Sequence, residues 1–89
     1  MSSLSSRIII DVREPFEYAG GHVKGALNIP PARLMAGAKE LTSVPKDTQI
    51  ILYCKSGSRS NVSIHFLRQM GFTNLVNGIN KDQVNARYL

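Results

Sequence analysis

The sequence predicts an α/β fold: a small, mainly parallel sheet of four to five strands with helices on both faces. Three observations predict it. Short apolar runs rich in β-branched residues alternate with segments of helical composition, the pattern of strands joined by crossover helices. Two of the runs, Ile8-Ile9-Ile10 and Ile50-Ile51-Leu52-Tyr53, are continuously apolar, as buried strands are. Gly and Pro pairs punctuate the joins. Eighty-nine residues make one small domain, 1–89, with residues 1–6 expected as a flexible N-terminal end.

The elements follow in order. Arg7 to Val12 reads as the first strand. Glu14 to Ala19 reads as a short helix, with Pro15 early and acids in its first turn, and Gly20-Gly21 stops it. Ala26 to Ile29 is a second short strand, closed by Pro30-Pro31. Ala32 to Leu41 has helical composition, interrupted at Gly37. Thr42 to Thr48 is a loop, and Ile50 to Tyr53 is the third strand. From Ser60 to Met70 the apolar residues Val62, Ile64, Phe66, Leu67 and Met70 form one expected core-facing stripe, with Gly71 as its C-terminal cap. Leu75-Val76 marks a fourth strand, and residues 80–88 a final polar helix.

Composition excludes several roles. Net charge is +5, from 11 Lys/Arg against 6 Asp/Glu. The cations are scattered from Arg7 to Arg87 without the cluster or stripe that nucleic acid needs, and aromatic platforms are few. The milder consequence is a general attraction for small anions. No apolar run approaches a membrane span of roughly 18 residues, and the N-terminus has no signal-peptide core. The chain as given therefore reads as cytoplasmic, the alternative being a periplasmic protein whose leader has been removed. Cys54 is the only cysteine, so no internal disulfide forms and no resolving thiol exists in cis. With His22 and His65 it makes too few ligands, too far apart, for zinc. No metal or organic cofactor is implied.

Cys54 ends the third strand and opens the stretch Cys54-Lys55-Ser56-Gly57-Ser58-Arg59-Ser60, which leads into a helix. Ligands of parallel sheets bind beyond the carboxyl ends of the strands. Small residues let this backbone curl, and Gly57 can take a positive φ. Successive N–H groups then form an anion nest, the helix start adds about half a positive charge, and Lys55 and Arg59 add formal charge. Each term favours thiolate over thiol, and the same cradle would stabilise an anion that leaves. The plain alternative is a buried, inert cysteine acting as a small hydrophobe; the strand-to-helix loop with two cations argues against it.

These residues resemble a known family. Cys54 to Ser60 resembles the C-x-x-G-x-R-S active loop of rhodanese-like sulfurtransferases, and Asp11-Val-Arg-Glu-Pro-Phe-Glu-Tyr-Ala-Gly-Gly-His-Val-Lys-Gly-Ala-Leu-Asn-Ile-Pro30 resembles the family's other signature. The likeness runs from about Ile8 to Asn80 and is nearest to the short, single-domain, phage-shock kind. It implies a three-layer fold and a Cys54 persulfide. The chain departs from the family in starting almost at its D-V-R strand, where another strand and helix usually come first. It departs again in carrying Asn77-Gly78-Ile79-Asn80, without Trp, where Gly-Gly and then Trp are common.

The resemblance implies that Cys54 thiolate attacks the outer sulfur of thiosulfate or of another persulfide. Sulfite leaves, and a thiol or cyanide takes the sulfur in a second, ping-pong half-reaction. In related phosphatases and arsenate reductases the arginine comes one position later than Arg59 does here, and the shorter ring leaves less room for tetrahedral phosphate. The rival readings are a low-turnover binding or regulatory module on the same fold and, further off, such a phosphatase or arsenate reductase. Expected partners are a small anionic sulfur donor and a thiol or cyanide acceptor, with the chain a monomer or weak dimer.

Supporting roles are expected as follows. Lys55 screens the anionic donor or is simply solvated. Arg59 turns inward to an acid such as Asp11 or Glu17 and holds the ring's shape. Ser56, Gly57, Ser58 and Ser60 offer backbone donors, and Ser60 can also cap the helix. Asp11, at the same sheet edge as Cys54, organises loop N–H groups or Arg13, since a carboxylate beside the thiolate would raise its pKa. Arg13 and Glu17, four apart at a helix start, could pair if exposed. His22 is read as a backbone-bonded structural histidine, His65 as a surface residue, and the Met and Phe side chains as core.

Overall fold

The computed structural model describes residues 7–89, and the expected flexible end at residues 1–6 lies outside the described residues. The elements are β1 (Arg7–Asp11), α1 (Pro15–Ala19), β2 (Leu27–Asn28), α2 (Pro31–Met35), a 3-10 turn (Lys39–Leu41), β3 (Gln49–Cys54), α3 (Ser58–Gln69), β4 (Leu75–Asn80) and α4 (Lys81–Tyr88). Four strands form one sheet in the order β2-β1-β3-β4, and every neighbouring pair is parallel. The fold is the α/β arrangement expected, with four strands.

Side chains of a strand alternate between faces, and here both faces are covered. Ile8 and Ile10 of β1 and Ile50, Leu52 and Cys54 of β3 lie on one side, packed with Leu34 of α2 and Ile64 and Leu67 of α3. Ile9, Ile51 and Tyr53 lie on the other, with Val23, Ala26 and Val84 of α4. Ile10, Ile50, Ile51 and Leu52 have no exposed surface, and burying each such side chain fully is worth roughly 1.5–3 kcal/mol. The sheet's centre, β1 and β3, is thus the rigid base from which both signature loops emerge. The register pairs Asp11 with Tyr53, so Asp11 and Cys54 leave the same edge.

Four expectations are corrected. The helix expected over Ala32–Leu41 ends at Met35, because Gly37 adopts φ 95° and turns the chain before the 3-10 segment. The helix expected from Ser60 begins at Ser58, and its core stripe is not the one anchored on Val62. Val62 is 49% exposed, whereas Ser60, Ser63, Ile64 and Leu67 are buried. Small serines on that face let the helix axis approach the sheet, which a pattern of large apolar residues does not reveal. The fourth strand is longer than Leu75-Val76, running to Asn80 through an irregularity opposite Leu52 and Tyr53. Phe72 is buried and Phe66 and Met70 pack partly against the core, but Phe16 and Met35 are exposed. The polar final helix forms as expected, capped by Asn80, whose Oδ1 accepts the Gln83 N–H at 2.8 Å. Among the described residues no helix is long and apolar enough to cross a membrane.

Candidate active site

β3 ends at Cys54 and α3 begins at Ser58, leaving Lys55, Ser56 and Gly57 to turn the chain. Gly57 makes the turn possible by taking φ 95°, a conformation that costs glycine little and other residues about a kcal/mol or more. The turn aims the Gly57 N–H at the Cys54 Sγ, 3.0 Å away. The Ser60 hydroxyl lies 3.7 Å from the same sulfur. The sulfur thus sits just before the positive end of a 12-residue helix. Burial pushes the Cys54 thiol up. The N–H groups of Ser60, Ser56 and Gly57 outweigh it, and the thiol sits below its ordinary value. Cys54 is only 2% exposed, so its sulfur is the floor of the ring rather than its rim.

Around this floor the other signature residues divide into two clamps. Arg59, in the first turn of α3, donates to Glu17 Oε1 at 2.7 Å and to Oε2 at 3.2 Å. Arg13 donates to both Asp11 oxygens, the shortest contact being 2.7 Å, and to the Gly21 carbonyl at 2.6 Å. Arg59 therefore turns to Glu17 and not to Asp11, and the Arg13–Glu17 pair that the spacing allowed does not form because each partner is engaged elsewhere. Asp11 organises Arg13, whose own N–H it also accepts at 2.9 Å. Its remaining contact is the Tyr53 hydroxyl, at 2.8 Å.

The hydrogen bonds have the expected electrostatic effects. Donation from Arg59, and then from the Glu14 N–H, holds the Glu17 carboxyl at about 2. The same bond raises Arg59, as that to Asp11 raises Arg13. Burial pushes the Tyr53 phenol up to about 12.

Lys55, Ser56 and Ser58 are exposed, with the two serine hydroxyls 3.2 Å apart. Ser60 does not cap α3, whose N-cap is Gly57; it is buried instead, its hydroxyl donating to Asn77 Oδ1 at 2.7 Å. His22 is bonded to the backbone as expected, Nδ1 lying 2.8 Å from the Tyr18 carbonyl, and it stacks on the Tyr18 ring. His65 is exposed.

Two polar residues were missed from the sequence. Tyr53 accepts the Val23 N–H at 2.9 Å while donating to Asp11, tying both signature stretches together beneath the sheet edge. Asn77, opposite Ser60, donates from Nδ2 to the Gly57 carbonyl at 3.0 Å. The available signal for Asn77 was a polar residue standing where the resembled family often has glycine. Two surface hollows lie elsewhere. One, of about 240 Å³, is lined by Arg33 and residues 36–39; the other, of about 230 Å³, lies between α2 and α3. Neither touches the Cys54 loop.

Comparison with known proteins bears on this arrangement. The family model for the rhodanese-like domain matches residues 1–81. The chain belongs to the rhodanese-like domain family. Among rhodanese-like relatives, the uncharacterized protein YqhL of Bacillus subtilis is 41% identical over 69 residues, covering 78% of this chain and 52% of YqhL. The thiosulfate sulfurtransferase PspE of Escherichia coli is 39% identical over 71 residues, covering 76% of this chain and 64% of PspE. The chain thus matches less than two-thirds of either relative's length. A solved structure of a rhodanese with anions from E. coli superposes with a TM-score of 0.77 at 32% identity, covering 88% of this chain and 91% of that one.

Proposed function

We propose that this rhodanese-like domain is a sulfurtransferase that carries sulfane sulfur as a persulfide on Cys54. The observation that carries the reading is the Gly57 N–H aimed at the Cys54 sulfur at 3.0 Å. In the first half-reaction the Cys54 thiolate attacks the outer sulfur of thiosulfate. A sulfur–sulfur bond forms, the bond to the sulfonate breaks, and sulfite leaves with its electron pair. In the second, cyanide or a thiolate attacks the terminal sulfur and the Cys54 thiolate is released. Charge is conserved in both steps, so no oxidant or reductant is needed.

In this reading the N–H groups of Ser56, Gly57 and Ser60 hold negative charge on whichever sulfur carries it. Lys55, exposed on the loop, meets the anionic donor. Arg59 shapes the ring from outside through Glu17, and Asp11 with Arg13 holds the neighbouring signature loop. The engagement of Arg59 by Glu17 also bears on the phosphatase reading, which needs a guanidinium turned to the substrate. Relatives named as sulfurtransferases support the chemistry.

The near-complete burial of Cys54 is the observation that favours a low-turnover binding module instead. Intact-mass measurement after mixing with thiosulfate separates the two. A sulfurtransferase gains one sulfur, about 32 Da, which cyanide then removes. Cys54→Ser gains nothing. A wild-type chain that stays unmodified over hours would exclude the transfer reading.

A further inference from the structure

β4 departs from regular pairing at one point. Leu52 pairs with Asn77 and Tyr53 with Ile79, so Gly78 is the extra residue of a bulge. Only glycine fits there: a Cβ would lie 2.5 Å from Val84 Cγ2 and 3.0 Å from Ile51 Cγ2. The next residue, Ile79, has φ 75°, rare for a β-branched side chain and costing of order 1–3 kcal/mol. Such a conformation persists only when its surroundings hold it.

Asn77 does the holding. Its Oδ1 accepts the Ile79 N–H at 3.0 Å, bridging the bulge. The same oxygen accepts the Ser60 hydroxyl at 2.7 Å, and Nδ2 donates to the Gly57 carbonyl at 3.0 Å. The amide orientation is fixed by its partners, since a reversed amide would set its NH₂ against the Ile79 N–H and its oxygen against the Gly57 carbonyl. Gly57 and Ser60 also reach the Cys54 sulfur, at 3.0 and 3.7 Å. One side chain from β4 therefore grips the loop at two of the residues that reach the sulfur, without touching the sulfur itself.

We propose that Asn77 is a positioning residue for the Cys54 loop: by fixing the Gly57 carbonyl and the Ser60 hydroxyl to the β4 bulge, it keeps the loop N–H groups converged on the sulfur. This rests on Cys54 being the reacting atom. Asn77 acts where the resembled family commonly has glycine, so in this chain a side-chain amide supplies a brace that glycine cannot. The charged groups on the surrounding elements, the Arg59–Glu17 and Arg13–Asp11 pairs and Lys55, are not altered by changing it.

The test is the pH profile of Cys54 alkylation by iodoacetamide, a readout of thiolate fraction that needs no sulfur transfer. It is measured for wild type and Asn77→Ala, each also in a Ser60→Ala background, which removes the hydroxyl that Asn77→Ala would free to turn toward the sulfur. Loss of a hydrogen bond to the loop is expected to slow alkylation near neutral pH roughly three- to tenfold and move the profile to higher pH in both backgrounds. Leu41→Ala, which hollows the core at a residue that makes none of the hydrogen bonds of the loop, is expected to lower the melting temperature and leave the profile in place. Should Asn77→Ala fail to fold, Asn77→Ser carries the same comparison. A folded Asn77 variant with the wild-type profile in both backgrounds overturns the proposal, as does Leu41→Ala moving the profile equally. A wild-type profile like that of an unfolded cysteine sinks the nucleophile reading itself, and is distinguishable because it needs no variant.

Discussion

Arg59 and Glu17, separated by 42 positions in the chain, meet as a two-armed ion pair with contacts of 2.7 and 3.2 Å. The pair joins α1, which buries none of its own residues, to the first turn of α3. Arg59 follows the Cys54 turn directly, so the pair transmits the position of one signature stretch to the other. Arg59→Ala is expected to reduce persulfide formation roughly 10- to 100-fold, as a misplaced reacting geometry does, while the chain stays folded. Arg59→Lys should recover little, because an ammonium cannot fork onto a carboxylate. Stopped-flow loading with thiosulfate, alongside melting curves, checks both; a rate within twofold of wild type in Arg59→Ala would remove Arg59 from the mechanism.

The same pair gives an acid limb. Glu17 is held at about 2 in the fold, against about 4.3 for an unfolded glutamate. A depressed folded pKa stabilises fully above the unfolded value and is lost as pH falls through the folded one. Melting temperature should therefore decline between roughly pH 4 and pH 2 with a component that Glu17→Gln abolishes. Parallel melting curves for the two proteins across that range would contradict this.

An alkaline limb is expected from Tyr53. Its phenol, buried and bonded to Val23 and Asp11, is pushed up to about 12. A raised folded pKa means stability complete below the unfolded value of about 10 and lost as pH rises through the folded one. Absorbance titration at alkaline pH should show a late tyrosinate step, absent in Tyr53→Phe. That variant leaves the buried Val23 N–H without its acceptor, and denaturant unfolding should show it about 1–3 kcal/mol less stable.

Thr48 offers a gain. It is 2% exposed, and its hydroxyl has no hydrogen-bond partner among the described residues. Replacing a buried, unmatched hydroxyl by a methyl of similar shape removes a desolvation cost. Thr48→Val is expected to add about 1 kcal/mol to unfolding free energy, read as a higher urea midpoint at unchanged slope. A lower midpoint would show that the hydroxyl has a partner.

What was legible in the chain was its local chemistry. The apolar run Ile50 to Tyr53 announces a buried strand, and a cysteine followed by small residues at its end announces a tight turn toward a helix. Gly57 then takes the positive φ its place demands. What was not legible depended on distant partners. Nothing near Arg13 distinguishes Glu17 from Asp11 as its acid; Glu17 is taken by Arg59, and Arg13 pairs with Asp11. Ser63 looks polar in sequence yet is buried, its hydroxyl donating back to the Arg59 carbonyl at 2.9 Å, so a helix face built on small hydroxyl residues escapes a search for large apolar ones. Asn77 belongs to the same class. Its contact with Ile79 is two residues away, but those with Ser60 and Gly57 lie 17 and 20 residues back along the chain, too far to be inferred.

With 2% of Cys54 exposed, reach becomes a filter on partners if this sulfur is the proposed carrier. On that reading a slender donor that ends in a bare sulfur is favoured over aryl disulfides or oxidised glutathione, whose sulfurs are flanked on both sides. The same narrowness shields an unpaired thiol from becoming a mixed disulfide.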